Sequence, residues 1–401
     1  MQSLGKIPFF RYDLIRGLTN GVLDIGFSVF VLLIAIRWWE APEFYKCLLV
    51  GGTSIGLFLT PIIDGNLSKL KLSDSRIAAL LMAMTAVFLV LSVLTYSLLV
   101  FVMALVFSQI CMSQVPNLML GAYSRVYEKK ERGKRVSYCL VLSTFGGLFA
   151  SYWFGAYLDL VDSNFRMVLL SMGCSALISS FFLWKMSSHV PEYAKPRDSK
   201  NLKGFLNIIL EDRIFLKILM AWMLLGFGAI MTFPLRIEYL SRESELALSN
   251  MEIALVAVIA FFSAKVISTF FWGKLFDGMH FIKFRVLLNL IMVTAILIYF
   301  NSTGLLGVFT GSIIAGVGMG GASLAWNLWV TKLAPAGREK EYMGVHMCFT
   351  GIRGFAAPFC GYWIEGLLGF TGVSLVSTMI ILCSSVIFWS SLGEARFAVS
   401  K

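Results

Sequence analysis

Charge is what this sequence has least of. Only 14% of its 401 residues are Asp, Glu, Lys or Arg, where a soluble domain carries about a quarter. The shortage excludes an ordinary globular enzyme, because a water-soluble core cannot absorb a chain that is 58% apolar. Proline is scarce too, at 9 residues against 34 Phe, which excludes a disordered or fibrous chain. The three histidines, His189, His280 and His346, fall near helix ends on one side and do not cluster, so no metal site and no cofactor are expected. The seven cysteines show no CxxC or other paired spacing, and they read as small core residues. What remains is a mean hydropathy of +0.79. A bilayer accommodates that balance.

The excess of base over acid, +11 in formal charge, does not point to nucleic acid. The basic residues form short clusters between apolar stretches and never a basic domain. They read as loops on the cytoplasmic side of a membrane.

A helix needs about 20 apolar residues to cross the hydrocarbon. That rule predicts twelve spans, at 17–36, 46–63, 77–96, 98–122, 136–158, 167–186, 214–235, 251–272, 286–301, 304–330, 343–364 and 371–392. The stretch IAALLMAMTAVFLVLSVLTY carries no charge at all. The N-terminal MQSLGKIPFFRYDLIRG has no apolar stretch ending at a small-residue cleavage site, so no cleaved leader is expected. With both termini and the even-numbered loops on one side, that side holds 26 of the 34 basic residues. The other side holds Arg37, Lys46, Arg166, Arg236 and Arg242. This asymmetry predicts cytoplasmic termini. The polar segment 187–213 divides the spans six and six, into an N-terminal bundle, 1–186, and a C-terminal bundle, 214–401.

The halves echo one another. TPIIDGNLSKLK (Thr60–Lys71) follows span 2, and GKLFDGMHFIKFR (Gly273–Arg285) follows span 8. PNLML in span 4 corresponds to WNLWV in span 10, and spans 5 and 11 end at Asp159 and Glu365. With the charged loops YEKKERGKR and REKEYMG that follow spans 4 and 10, four correspondences in one order indicate duplication. Twelve spans split in this way, with an Asp-Gly-Lys loop after spans 2 and 8, resemble the major facilitator superfamily over essentially the whole chain. The family's loop signature, Gly-x-x-x-Asp-Arg-x-Gly, is kept at Gly273 and Asp277. Thr60 stands where its first Gly would be in the other copy, and Gly65 and Gly278 where Arg is usual.

The resemblance implies an all-α integral membrane fold: two pseudo-symmetric six-helix bundles whose spans 3, 6, 9 and 12 face lipid. It implies secondary active transport of a small solute by alternating access, with a site at the midplane. The expected setting is a bacterial inner membrane and the expected state a monomer. A membrane-embedded enzyme would need a His/Asp/Glu or Ser/His constellation, and none is present in the sequence. A non-transporting receptor or scaffold would carry long soluble extensions, yet the tails and most loops are short. A lipid flippase belongs to the same class as a transporter.

Ionisable side chains inside spans are expensive and mark candidate sites. Asp24 lies seven residues into span 1 and shares a face with Arg16, Asn20 and Ser28. A carboxylate in a low-dielectric setting is a candidate proton carrier, and Arg16 is its candidate structural partner. Lys265 lies in the inner half of span 8, and Arg353 lies at the middle of span 11, too deep to snorkel. Arg353 offers a planar fork to an anionic, zwitterionic or amphiphilic solute. Gln109, Gln114 and Asn327 put polar groups on spans 4 and 10, either for solute or as bonds between helices. Asp64, Lys69, Asp277 and Lys283 are candidates for a cytoplasmic gate, against a plain reading as solvated loop. The glycine cluster GVGMGGAS (Gly316–Ser323) follows no strand and reads as close helix packing.

Overall fold

The computed structural model describes residues 2–67, 70, 72–160, 164–188, 208–242, 244–335, 338–394 and 396. Among them there is no strand. Ten helices are long and apolar enough to cross a membrane. One of these, Glu341–Trp389, is two helices joined at Gly369, whose φ of +66° breaks the helical course. A further helix of 25 residues spans Glu43–Leu67. Ten, plus one for the joined pair, plus one for that helix, makes twelve passages.

In the first half, α1 runs through Gln2–Ile25, a π-turn at Gly26–Phe30 and Val31–Arg37. It is followed by α2 (Glu43–Leu67), α3 (Asp74–Leu94), α4 (Leu98–Val126), α5 (Lys129–Leu160) and α6 (Arg166–Ser187). In the second half, α7 is Arg213–Met231 continued by Phe233–Ser241, and α8 is Asn250–Ala254, a π-turn at Leu255–Ala260 and Phe261–Gly278. Then come α9 (Phe281–Phe300), α10 (Leu305–Leu333), α11 (339–368) and α12 (370–389).

The helices run past the apolar stretches that announce them. Span 1 begins at Gln2 rather than 17 and span 9 at Phe281 rather than 286. Apolarity stops at the edge of the hydrocarbon, whereas backbone hydrogen bonding continues until a cap ends it. Ser73 caps α3 by accepting from the Arg76 N–H at 3.4 Å. Ser249 and Glu252 form a reciprocal capping box on α8, at 3.2 and 2.8 Å.

The chain divides into two compact units, Met1–Ser199 and Lys200–Lys401. Most of the segment 187–213, together with Lys69 and His189, lies outside the described residues. In unit 1, α1 packs on α5 and α6, α2 on α4, and α3 on α4 and α6. Unit 2 repeats the pattern: α7 packs on α11 and α12, α8 on α10, and α9 on α10 and α12. Small residues permit these approaches, since a Cβ at Gly21 would overlap the Ser143 carbonyl on α5. The 316–323 glycine cluster serves the same purpose: a Cβ at Gly316 would overlap the Phe261 carbonyl on α8, and one at Gly320 the Ser268 hydroxyl. Hydroxyls bond backbone carbonyls across the seams. Ser108 on α4 donates to the Thr85 carbonyl at 2.9 Å and Ser384 on α12 to the Ala221 carbonyl at 2.7 Å. Lipid offers no partner to an unmet polar group, so such bonds are made inside.

Candidate functional site

Unit 2 holds a cavity of about 360 Å³ among α7–α11, within the usual range for small-ligand sites. Its lining carries Lys265 from α8, Arg285 from α9 and Arg353 from α11, and none of the described residues lining it is acidic. Because α9 begins at Phe281, Arg285 lies inside the helix and is buried. Its Nε and Nη2 donate to Asn289 Oδ1 at 2.9 and 2.8 Å, and Asn289 Nδ2 donates to Ser385 Oγ at 2.9 Å. The guanidinium lies 4.8 Å from the ring centre of Trp222, a cation–π contact. Its Nη1 is buried and has no hydrogen-bond partner.

Arg353 turns back onto α7. Its Nη1 donates to the Trp222 carbonyl, and its Nε is buried without a partner. Gly226 makes this possible, since a Cβ there would overlap the guanidinium. Beside the pair lies His346, with no exposed surface and with Trp329 and Trp326 at 5.1 and 5.5 Å between ring centres. Neither imidazole nitrogen has a hydrogen-bond partner. Lys265 points its ammonium at the Phe262 ring, 5.6 Å from its centre.

The structure therefore brings Lys265 and Arg353 together and adds Arg285, which the sequence reading placed among the basic residues of the cytoplasmic gate, and Trp222 and Gly226, which it did not single out. Two turns separate His346 from the start of α11, which is how an apparent helix-end histidine comes to be buried. Asn327 lies on α10 and Asp64 and Asp277 on α2 and α8, but their side chains fall outside the described residues. Lys283 is exposed in the first turn of α9.

In unit 1 the expected stripe on α1 changes character along its length. Arg16 is buried, Asn20 is half-buried and accepts from Ser179 Oγ at 3.3 Å, and Asp24, just before the π-turn, and Ser28, within it, are exposed. Arg16 is engaged by Asp13, through Nε to Oδ1 at 2.7 Å, and by the Tyr123 hydroxyl at 2.8 Å. Tyr123 and Cys139 also donate to Asp13, at 2.9 and 3.1 Å. The two glutamines on α4 bond the neighbouring α2 backbone. Gln109 donates to the Leu49 carbonyl at 2.7 Å and accepts from Thr53, while Gln114 donates to the Gly56 carbonyl at 2.8 Å.

Unit 2 keeps its carboxylates at the helix ends. Arg242 bonds Glu365 at 2.7 Å and lies 3.6 Å from Glu238, which accepts from the Tyr362 hydroxyl at 3.1 Å. Against the cost of burial, these two glutamates hold the Arg242 guanidinium in its charged form more firmly than usual.

Solved transporters share this architecture. The nucleoside transporter NupG superposes with a TM-score of 0.72 at 10% identity, covering 97% of this chain and 99% of its own. The D-xylose–proton symporter gives 0.68 at 15%, covering 96% and 97%, and a bacterial metal transporter gives 0.68 at 17%, covering 96% and 98%. At such identities the likeness speaks for the fold alone. No curated protein matches the sequence. The family model described as Major Facilitator Superfamily matches residues 18–358, and with twelve helical passages in two units of repeated packing, this multi-pass integral membrane protein belongs to the major facilitator superfamily.

Proposed function

We propose that the protein is a secondary active transporter that moves a small organic anion by alternating access. One observation carries the reading: two inner arginines, Arg285 and Arg353, each bonded to a neutral acceptor, line one cavity together with Lys265, and none of the described residues lining it is acidic. A buried cation without a counter-charge is costly, and a site that binds an anion supplies that charge when loaded. Arg is suited to this work, because its fork meets two oxygens at once. Asp24, an exposed carboxylate on the first passage, is the group to which we assign proton coupling. Asp64, Lys69, Asp277 and Lys283 are assigned to a gate on the cytoplasmic side, and the basic asymmetry supports cytoplasmic termini.

The test is uptake by proteoliposomes of a panel of organic anions, neutral sugars and amines, with and without a proton gradient. Anion accumulation that collapses with a protonophore is the expected result. Accumulation of amines or sugars alone would overturn the anion assignment, and gradient-independent accumulation would overturn the coupling. Orientation is read by labelling Ser199→Cys and Ser244→Cys, each in a background without native cysteines, with an impermeant reagent. Ser244→Cys should react from outside intact cells and Ser199→Cys should not.

A further inference from the structure

The cavity in unit 2 has a polar end and an apolar end. Lys265 lies fifteen residues from the start of α8 at Asn250, Arg285 fifteen from the end of α9 at Phe300, and Arg353 sixteen from Gly369. Successive helices alternate in direction, so these three reference ends lie on one side of the unit. At 1.5 Å per residue the cations share one level, about 22–24 Å from that side. From this level the lining turns apolar: Leu225, Ile230 and Phe233 on α7 and Met292 on α9. Met292 lies eight residues from Phe300, and Phe233 eight from Ser241, so the apolar shaft reaches to about 12 Å from the same side. Its length is therefore about 10 Å.

At the polar end two donors are unmet. Arg285 Nη1 and Arg353 Nε are buried and have no hydrogen-bond partner, although Nε and Nη2 of Arg285 are engaged by Asn289 and Nη1 of Arg353 by the Trp222 carbonyl. Each guanidinium is thus fixed on one edge and unfilled on another. An acceptor group with at least two oxygens answers both, and the negative charge answers the lining. A lone inorganic anion would leave the shaft empty.

We propose that the ligand of this cavity is an amphipathic organic anion. Its carboxylate or other oxyanion head bridges Arg285 and Arg353 within reach of Lys265, and its apolar body, about 10 Å long, lies along α7 toward Phe233. The assignment rests on the anion reading above and narrows it to a class. Gly226 is the positioning residue: it touches no ligand, but it lets Arg353 lie against the α7 backbone.

The experiment uses the full-length protein in lipid nanodiscs and measures equilibrium binding of four probes: 4-phenylbutyrate, acetate, 4-phenylbutanol and 4-phenylbutylamine. Partition into lipid is subtracted with empty nanodiscs. Phenylbutyrate should bind saturably, with acetate and the alcohol each weaker by at least about tenfold. Arg285→Gln and Arg353→Gln should each lose at least about tenfold in phenylbutyrate affinity, and Gly226→Ala, which keeps every charge, should lose a similar factor. Unfolding temperature is read on each variant, so that a folding failure is recognised, and Arg353→Lys serves as the folded control with charge but no fork.

Acetate binding as tight as phenylbutyrate would overturn the amphipathic assignment and leave the anion reading standing. Preference for the amine would overturn both. Phenylbutyrate binding untouched in both glutamine variants would remove the arginines from the site. No saturable binding of any probe would leave water as the partner of the two donors and overturn the proposal.

Discussion

Units 1 and 2 share a packing diagram and differ in what they do with buried charge. In unit 1 two inner arginines meet carboxylates: Arg16 is locked to Asp13 with Tyr123 and Cys139 around it, and Arg125 bonds Asp74. In unit 2 the inner arginines meet neutral acceptors, an asparagine oxygen for Arg285 and a helix carbonyl for Arg353, while Glu238, Glu365 and Asp212 pair at the helix ends. A buried charge that is paired holds a fold together. On the reading proposed above, one that meets neutral acceptors beside a cavity is a binding determinant that the fold tolerates. On that reading, two copies of one architecture separate structural charge from functional charge.

The comparison breaks most visibly in stability. Arg16→Met strands the buried Asp13 carboxylate and should destabilise the protein by about 3–5 kcal/mol, read as a fall in unfolding temperature in detergent. Arg353→Met removes a cation that has no counter-charge and should leave the empty protein as stable as wild type or more so, while anion uptake falls by about a hundredfold. Destabilisation of Arg353→Met as large as that of Arg16→Met would erase the distinction between the two units.

Coupling sharpens the comparison from the side of unit 1. Asp24→Asn removes a titratable group from α1 without touching the Asp13–Arg16 cluster. Gradient-driven accumulation should disappear, with counterflow exchange retained within about twofold. Full accumulation by the asparagine variant would take Asp24 out of the mechanism.

How much of this was legible in the sequence varied with the range of the interaction. The twelve passages were visible because apolar length is local: IAALLMAMTAVFLVLSVLTY became Asp74–Leu94 almost unchanged. The π-turns at Gly26–Phe30 and Leu255–Ala260 left no mark, since they are set by how neighbouring helices press on one seam. Lys265 and Arg353 were visible as charges inside spans, in the inner half of span 8 and at the middle of span 11. Arg285 was hidden in the run FIKFR, which reads as a basic loop, and only the early start of α9 brings it inside. The clue was Asn289, a polar residue one turn on from Arg285 in the apolar stretch VLLNLIMV. Trp222 and Gly226 carried no local signal, because their roles depend on Arg285 and Arg353, more than fifty residues away in the chain.

The smallest effect belongs to a charged pair at the rim of unit 2, where solvent screens the interaction. Asp212 caps α7 by accepting from the Phe215 N–H at 3.0 Å, and it also accepts from the Tyr342 hydroxyl at 3.0 Å and from Arg396 at 2.6 Å. Burial opposes the ionised carboxylate, but these donors outweigh it and hold Asp212 below its ordinary value. A carboxylate depressed in the folded state contributes stability above its unfolded pKa, near 3.9, and loses that contribution as pH falls through the folded value. Wild type should therefore lose unfolding temperature faster than Asp212→Asn as pH drops below about 4, and the two should run parallel between about pH 5 and 8. Arg396 is largely exposed, so the difference is small and should shrink further in salt. Parallel curves down to the lowest pH would mean that the cap hydrogen bond, which asparagine keeps, is all that Asp212 contributes, and that the charge at this rim is as dispensable as the charge at Arg16 is not.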